Sequence, residues 1–334
     1  MVGEQKTGLA VVVTETTLFA VIAFLIISSN VLNIAVLSKN NILSIGGRCF
    51  MMSLAVADLG VGLLFGTALV GCVTREALID SVFPGCFVLG ALNHIVYTAS
   101  TISLALIALD RYLAISRPIY YLNVVTKTRA FMVTLIAWTL LALYAIALGL
   151  IDGNFYKYNR NNFLCLPIYR KLNLWLSTCI VLWLVPFGGI VFAYVRILMI
   201  IRNRRRRISN QVAGHEQGGN QIGSSATNQS GTKAAKMCIV ITLVFFLAWL
   251  PYGVLIFYNH THAEAINQGA SPSIIIAVTC VLASNSFWNF VIYSAMNSSF
   301  RKAAFGLIKK LPCCSKDTPV ENIAINTIAS ATEL

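Results

Sequence analysis

Apolar residues in this chain fall into seven long blocks separated by short polar stretches. The blocks are Leu18–Leu37, Met51–Cys72, Phe87–Ile115, Ala130–Ile151, Leu172–Ile201, Ala234–Tyr258 and Ser273–Met296. Each holds about 20 residues or more, enough at 1.5 Å of rise per residue to span roughly 30 Å of hydrocarbon. None shows the period-two alternation of a barrel strand. The pattern predicts an all-α membrane protein, a bundle of seven transmembrane helices. Past the last block, Ser298 to Leu311 puts Phe300, Ala304, Leu307 and Ile308 on one side, with Lys and Arg flanking. That spacing predicts a short amphipathic eighth helix lying on the membrane surface.

The third block organises the rest. On a helix, Asn93, Tyr97, Ser100, Leu104, Ile107 and Arg111 share one face, at spacings of three or four. Polar groups are costly in hydrocarbon, so this stripe should face other helices or trapped water. The second block carries Asp58, the one acid deep in any span. An unpaired acid there costs about 2.5–3.5 kcal/mol on insertion scales, so a proton, a cation or several donors must compensate it.

Composition agrees with a membrane domain: 57% of residues are hydrophobic and 11% charged. Of the 25 Lys and Arg residues, 19 fall in one set of loops and tail and 6 in the other, alternating correctly through seven spans. The positive-inside rule then puts the amino terminus outside and the carboxyl terminus in the cytoplasm. This bias accounts for the formal charge of +13, so no nucleic-acid partner is needed. No cleavable signal sequence is evident ahead of the first block. The expected plan is a short extracellular segment over 1–17, a seven-helix domain over 18–296, and an amphipathic helix with cytoplasmic tail over 297–334. Within it the inner loop 202–232 opens on Arg204–Arg207 and turns to Gly, Ser, Asn and Gln, which reads as disordered. Its basic cluster suits anionic lipid.

Several motifs now line up in order. Asn30 stands in span 1, and Leu54-Ala55-Val56-Ala57-Asp58 in span 2. Cys86 heads span 3, which ends in Asp110-Arg111-Tyr112, and Trp138 stands in span 4. Pro186 and Tyr194 follow in span 5, Phe245 and Trp249-Leu250-Pro251 in span 6, and Asn289 to Tyr293 in span 7. In these residues, from about 18 to 314, the chain resembles a rhodopsin-like (class A) G-protein-coupled receptor. The resemblance implies an extracellular ligand, a heterotrimeric G protein and arrestin as partners, and no cofactor beyond a possible sodium ion.

The resemblance also assigns residues. It implies a disulfide between Cys86 and Cys165, both in an oxidising compartment where such a bond persists. It places sodium at Asp58, Ser100, Asn285 and Asn289, under Trp249; a hydrated network without an ion is the alternative. Hard oxygen ligands around one carboxylate suit such a cation. The activation switch comprises Asp110, Arg111, Tyr112, Tyr194, Phe245, Pro251, Asn289 and Tyr293, with Asp110 pairing Arg111 at rest. Pro251 gives span 6 a hinge, because it removes a backbone hydrogen bond. The ligand site implied by alignment is Asn93, His94, Tyr97, Thr98, Thr178, Trp249, Tyr252, Ile256 and Thr279. Asn93 stands where amine receptors have an aspartate, and Ala283 where opsins have the retinal lysine. An amine agonist and covalent retinal are therefore not expected; a small molecule or short peptide is. His94 offers either a pH sensor or plain hydrogen-bonded packing.

Weaker signals complete the picture. Cys313 and Cys314 are candidate palmitoylation sites. Asn259 begins a glycosylation sequon close to the membrane, and Thr332-Glu333-Leu334 resembles a PDZ-domain ligand. Three positions depart from the family pattern: Phe290 replaces a proline, Gly231 an acid that faces Arg111, and Thr101 an apolar residue. Together they predict some basal signalling. An ion-coupled transporter remains the rival reading, although it should show internal repeats or broken helices. No nucleophile–base set or metal cluster suggests an enzyme.

Overall fold

The computed structural model describes residues 9–39, 43–74, 85–151, 155–159, 163–167, 172–214, 222–261 and 271–309. Its long helices are α1 (Leu9–Lys39), α2 (Ile45–Thr74), α3 (Gly85–Ser116) and α5 (Lys127–Ile151), with a short α4 (Pro118–Val124) between the last two. A hairpin of β1 (Tyr156–Asn159) and β2 (Leu164–Pro167) follows, pairing Tyr156 with Pro167 and Tyr158 with Cys165. Then come α6 (Leu172–Thr178), a π-helical stretch Cys179–Leu184, α7 (Val185–Gly214), α8 (Ile222–Thr261), α9 (Pro272–Met296) and α10 (Ser298–Lys309). Among the described residues, seven helices are long and apolar enough to cross a membrane. The predicted bundle and its eighth helix are both present, and a small two-stranded sheet is added to them.

Local chemistry explains the breaks. Pro186 has no N–H to give the carbonyl of Leu182, and just before it the Val185 N–H bonds Ile180 instead, the i→i−5 pattern of a π-turn. Pro272 opens α9, where its missing N–H costs nothing. Pro251 lies inside α8.

Two boundaries differ from expectation. Helix α1 begins at Leu9 rather than near residue 18, because nothing between Leu9 and Leu18 breaks a helix. Its 31 residues extend about 46 Å, beyond the hydrocarbon alone. The segment 202–232, read as disordered, is helical over 202–214 in α7 and 222–232 in α8. Extending a helix already nucleated in the membrane costs far less than starting one, so polar composition alone did not stop it. Residues 310–334, with Cys313, Cys314 and the terminal Thr332-Glu333-Leu334, lie outside the described residues, as does the Asn259 side chain.

Helix α3 is central: it packs on α2, α5, α7, α8 and both strands. Helices α2 and α3 each bury 56% of their most apolar window within the protein, whereas α5 buries 17%. The polar stripe of α3 thus lies inside the bundle, and α5 faces lipid. One end of the bundle carries the hairpin, tied to α3 by the disulfide Cys86–Cys165 with 5.4 Å between Cα atoms. The other end carries Arg111.

Candidate functional site

Three polar or aromatic centres follow one another along the bundle. At the first, Asp58 is fully buried. Asn289 donates from Nδ2 to Asp58 Oδ2 at 2.7 Å, and Ser100 donates to Oδ1 at 3.1 Å. The Ser286 hydroxyl is the third donor. Asn285, assigned to this centre from sequence, is buried but is not among these partners. One residue along α9 is a turn of about 100°, which brings Ser286 rather than Asn285 to the carboxylate. The network continues into α1: Asn30 Nδ2 donates to the Ser286 carbonyl at 2.9 Å, and Asn33 Nδ2 to Asn30 Oδ1 at 3.1 Å. A carboxylate with two hydroxyls beside it supplies hard oxygens in a buried place, which fits a small monovalent cation.

The second centre is the Arg111 end. Arg111 Nε donates to Asp110 Oδ2 at 3.0 Å, and Nη2 bonds both Asp110 and Ser44. Tyr121 of α4 donates to the other carboxylate oxygen at 2.8 Å. Burial holds the Tyr121 hydroxyl above the ordinary phenol range, so it stays a donor. Ser44 is also the N-cap of α2, where its Oγ accepts the Gly47 N–H at 3.2 Å. This closeness needs glycine. A Cβ on Gly46 would collide with Asp110 Oδ1, and one on Gly47 would come 2.9 Å from Arg111 Nη2. The expected Asp110–Arg111 pair is present; Ser44 and Tyr121 were missed. Ser44 did have a signal, a serine just before an apolar run, which marks an N-cap.

Tyr194 and Tyr293, expected to support Arg111 in the active state, are not hydrogen-bonded to it here. The Tyr194 hydroxyl is 3.1 Å from Thr242, whose own proton goes to the Cys238 carbonyl. The Tyr293 hydroxyl is buried and has no hydrogen-bond partner among the described residues. Tyr112 stacks edge-on against Phe192 at 5.8 Å. Thr101 turns its hydroxyl to the Tyr97 carbonyl at 3.2 Å, which satisfies it within α3.

The third centre is the aromatic floor nearer the hairpin. Trp249 meets Tyr97 at 5.7 Å, Trp183 at 4.2 Å, Phe245 at 5.6 Å and Tyr252 at 6.0 Å between ring centroids. His94 lies edge-on to Tyr144 and Tyr156, each at 6.3 Å, with Nδ1 3.5 Å from the Tyr156 hydroxyl. Tyr144 bonds Thr178 at 3.0 Å, and the Thr178 hydroxyl donates to the Leu174 carbonyl. Asn93, Thr98 and Thr279 are buried, Ile256 half-buried. Five of the nine assigned residues thus fall into two groups, Tyr97–Trp249–Tyr252 and His94–Thr178 through Tyr144.

Comparison with known proteins now bears on this arrangement. The family model described as "7 transmembrane receptor (rhodopsin family)" matches residues 29–293, well over half of the chain. Mouse "G-protein coupled receptor 52" is 28% identical over 325 residues, covering 93% of this chain and 86% of that protein. The chicken "Adenosine receptor A2b" is 28% identical, with 92% and 91% covered, and a Branchiostoma floridae "QRFP-like peptide receptor" is 24% identical, with 96% and 83% covered. In three dimensions the chain is similar to squid rhodopsin, with a TM-score of 0.77 at 23% identity, covering 99% of this chain and 94% of that one. The likeness supports the fold, and the family match leaves the transporter reading without support. With its Asp110–Arg111 pair, its buried Asp58 and seven spans in register, the chain belongs to the rhodopsin family and is a ligand-binding G-protein-coupled receptor.

Proposed function

We propose that the hairpin end faces outside and the Arg111 end the cytoplasm. A small molecule or short peptide then enters among Asn93, His94, Tyr97, Thr98, Thr178, Trp249, Tyr252, Ile256 and Thr279. The bias of basic residues supports this orientation, as does a disulfide at the hairpin end. With an amide at Asn93, the walls offer hydrogen bonds and aromatic faces, which favours a neutral, hydrogen-bonding ligand over an ammonium. Relatives named for adenosine and for a peptide are compatible with that range.

The observation that carries the mechanism is the clasp on Arg111. Asp110 and Ser44 occupy its guanidinium, and Tyr121 braces Asp110. A ligand that bears on Trp249 acts on α8, whose backbone lacks one hydrogen bond at Pro251. Outward movement of the inner end of α8 then breaks the Tyr194–Thr242 contact and frees Arg111 for the G protein, with Tyr194 and Tyr293 as its new support. The unpaired Tyr293 hydroxyl gives such a rearrangement something to gain. The ligand shifts an existing equilibrium by the difference in its affinity for the two states.

A sodium ion held by Asp58 with Ser100 and Ser286, and with Asn289 beside them, would supply the positive charge that a buried carboxylate lacks and would favour the resting packing. Asn285, buried one position before Ser286 on α9, completes the assigned set without bonding the carboxylate itself. Palmitoylation of Cys313 and Cys314 would extend the apolar side of α10 into the membrane. Arrestin and a PDZ-domain protein fit the same cytoplasmic face and tail.

Because no acid stands at Gly231, Ser44 carries part of the restraint such a residue gives elsewhere. Ser44→Ala is expected to raise ligand-free nucleotide exchange roughly threefold, the scale of one hydrogen bond to a charged group shared between two states. Ser44→Thr, which keeps the hydroxyl, should stay near wild type. The direct test of the receptor reading uses purified receptor in lipid nanodiscs, a panel of heterotrimeric G proteins and a ligand library. Ligand-dependent exchange on at least one G-protein class is expected; none on any class would overturn the reading.

A further inference from the structure

Where the chain enters β2, Phe163 and Leu164 do not lie over the bundle; they enter it. Phe163 and Leu164 each retain only 6% of their exposure. The Phe163 ring meets Phe19 of α1 edge-on at 6.2 Å, and Phe19 lies 4.9 Å from Phe65 of α2. The same apolar cluster takes in Val96 of α3 and Ile276, Cys280 and Ala283 of α9, with Tyr97 at its border. Two hairpin side chains therefore join an apolar cluster drawn from four transmembrane helices.

The chain is built to hold them there. Phe163 adopts φ 57°, a left-handed conformation that a bulky residue avoids unless its surroundings impose it. Its N–H closes the hairpin on the Asn159 carbonyl at 2.8 Å. Leu164 is adjacent to Cys165, which is anchored to Cys86 at the head of α3. On the opposite strand, Tyr156 sits against Gly90, where a Cβ would come within 2.7 Å of its ring, and its hydroxyl donates to the Ala145 carbonyl at 3.0 Å. A loop that merely screened the bundle could relax Phe163 to an ordinary backbone and leave its ring in water. Burial of the ring explains why the strained turn persists.

We infer that Phe163 and Leu164 are an occupant supplied by the chain itself. They fill the half of the outer site bounded by α1, α2 and α9, and confine an external ligand to the half around His94, Thr178, Trp249 and Tyr252. Phe163 is thus a specificity-determining residue: it limits ligand size by taking part of the site. This inference rests on the hairpin end being the ligand-entry end.

Cys280, buried in the plugged half, is a natural reporter. Full-length receptor on intact cells is treated with the membrane-impermeant thiol reagent 2-(trimethylammonium)ethyl methanethiosulfonate, which forms a mixed disulfide with the cysteine and releases methanesulfinate. Cys280→Ser in each background assigns the label to this thiol. Wild type should react slowly, and Phe163→Ala and Leu164→Ala about tenfold faster or more, as expected when a local barrier to opening is removed. Phe163→Leu, which keeps the site filled, and Lys157→Ala, exposed on the same hairpin, should stay close to wild type. Should the alanine variants fail to reach the surface, Phe163→Val carries the comparison, with an intermediate rise. Equal rates in wild type and the truncated variants that reach the surface overturn the inference. Labelling needs no G protein, so absent nucleotide exchange with a protected Cys280 would sink the receptor mechanism and leave the plug standing.

Discussion

Receptor carrying Arg111→Ala is expected to drive guanine-nucleotide exchange at less than about a tenth of the wild-type rate, with or without ligand, because charge-assisted bonds of this kind are worth about 1.5–3 kcal/mol each. Two opposing effects meet in this substitution. Removing the guanidinium breaks the resting clasp with Asp110 and Ser44, which by itself favours the open state. It also removes the one group in the clasp that can donate several hydrogen bonds to an acceptor on the G protein and cannot lose its proton. The second effect dominates, since an open state with nothing to offer the G protein has no output. The contrast with Ser44→Ala is therefore diagnostic: that change loosens the same clasp while keeping the effector contact, and exchange should rise. Purified variants in nanodiscs, compared at equal receptor concentration on one responsive G protein, give the answer. Exchange by Arg111→Ala at the wild-type rate would remove the mechanism proposed for the cytoplasmic end.

Replacing Asp58 has the second-largest expected effect, and two variants separate its causes. Asp58→Ala leaves the Asn289 amide, the Ser100 hydroxyl and the Ser286 hydroxyl without their acceptor in a fully buried site. Each stranded donor costs about 1–3 kcal/mol, so the unfolding midpoint of purified receptor should fall by about 5–10 °C. Asp58→Asn retains one acceptor oxygen and the shape, and should lose much less. The ion is tested in the same experiment by exchanging choline chloride for sodium chloride at constant ionic strength. Sodium should raise the midpoint of wild type and leave Asp58→Asn unmoved. A sodium effect of equal size in Asp58→Asn would place the ion elsewhere and leave Asp58 the centre of a hydrated network alone.

These predictions draw on residues that were legible in the sequence to different degrees. Arg111, Asp110 and Asp58 stand out because charge inside an apolar run is expensive and rare, so each announces itself without a structure. The seven spans and the polar face of α3 are legible for the same reason, as the solvent imposes length and period on each helix separately. The partners are another matter. Whether Asn285 or Ser286 reaches Asp58 depends on the rotation of α9 about its axis, and one residue shifts that by about 100°. Ser44 and Tyr121 reach the Asp110–Arg111 pair from the start of α2 and from α4, and two glycines of α2 leave room for its approach.

The sequence by itself therefore determined the architecture, the membrane class, the charged residues at its two polar centres and, through resemblance, the receptor family. Each of these follows from the cost of placing a given side chain in lipid or from motifs in order along the chain. Only the tertiary structure decided which side chains meet, how far the helices of 202–232 continue, and that Phe163 and Leu164 enter the bundle. No local pattern encodes a phenylalanine at φ 57°; that conformation exists because the disulfide, Gly90 and the gap beside Phe19 make burial of its ring worth more than a relaxed turn.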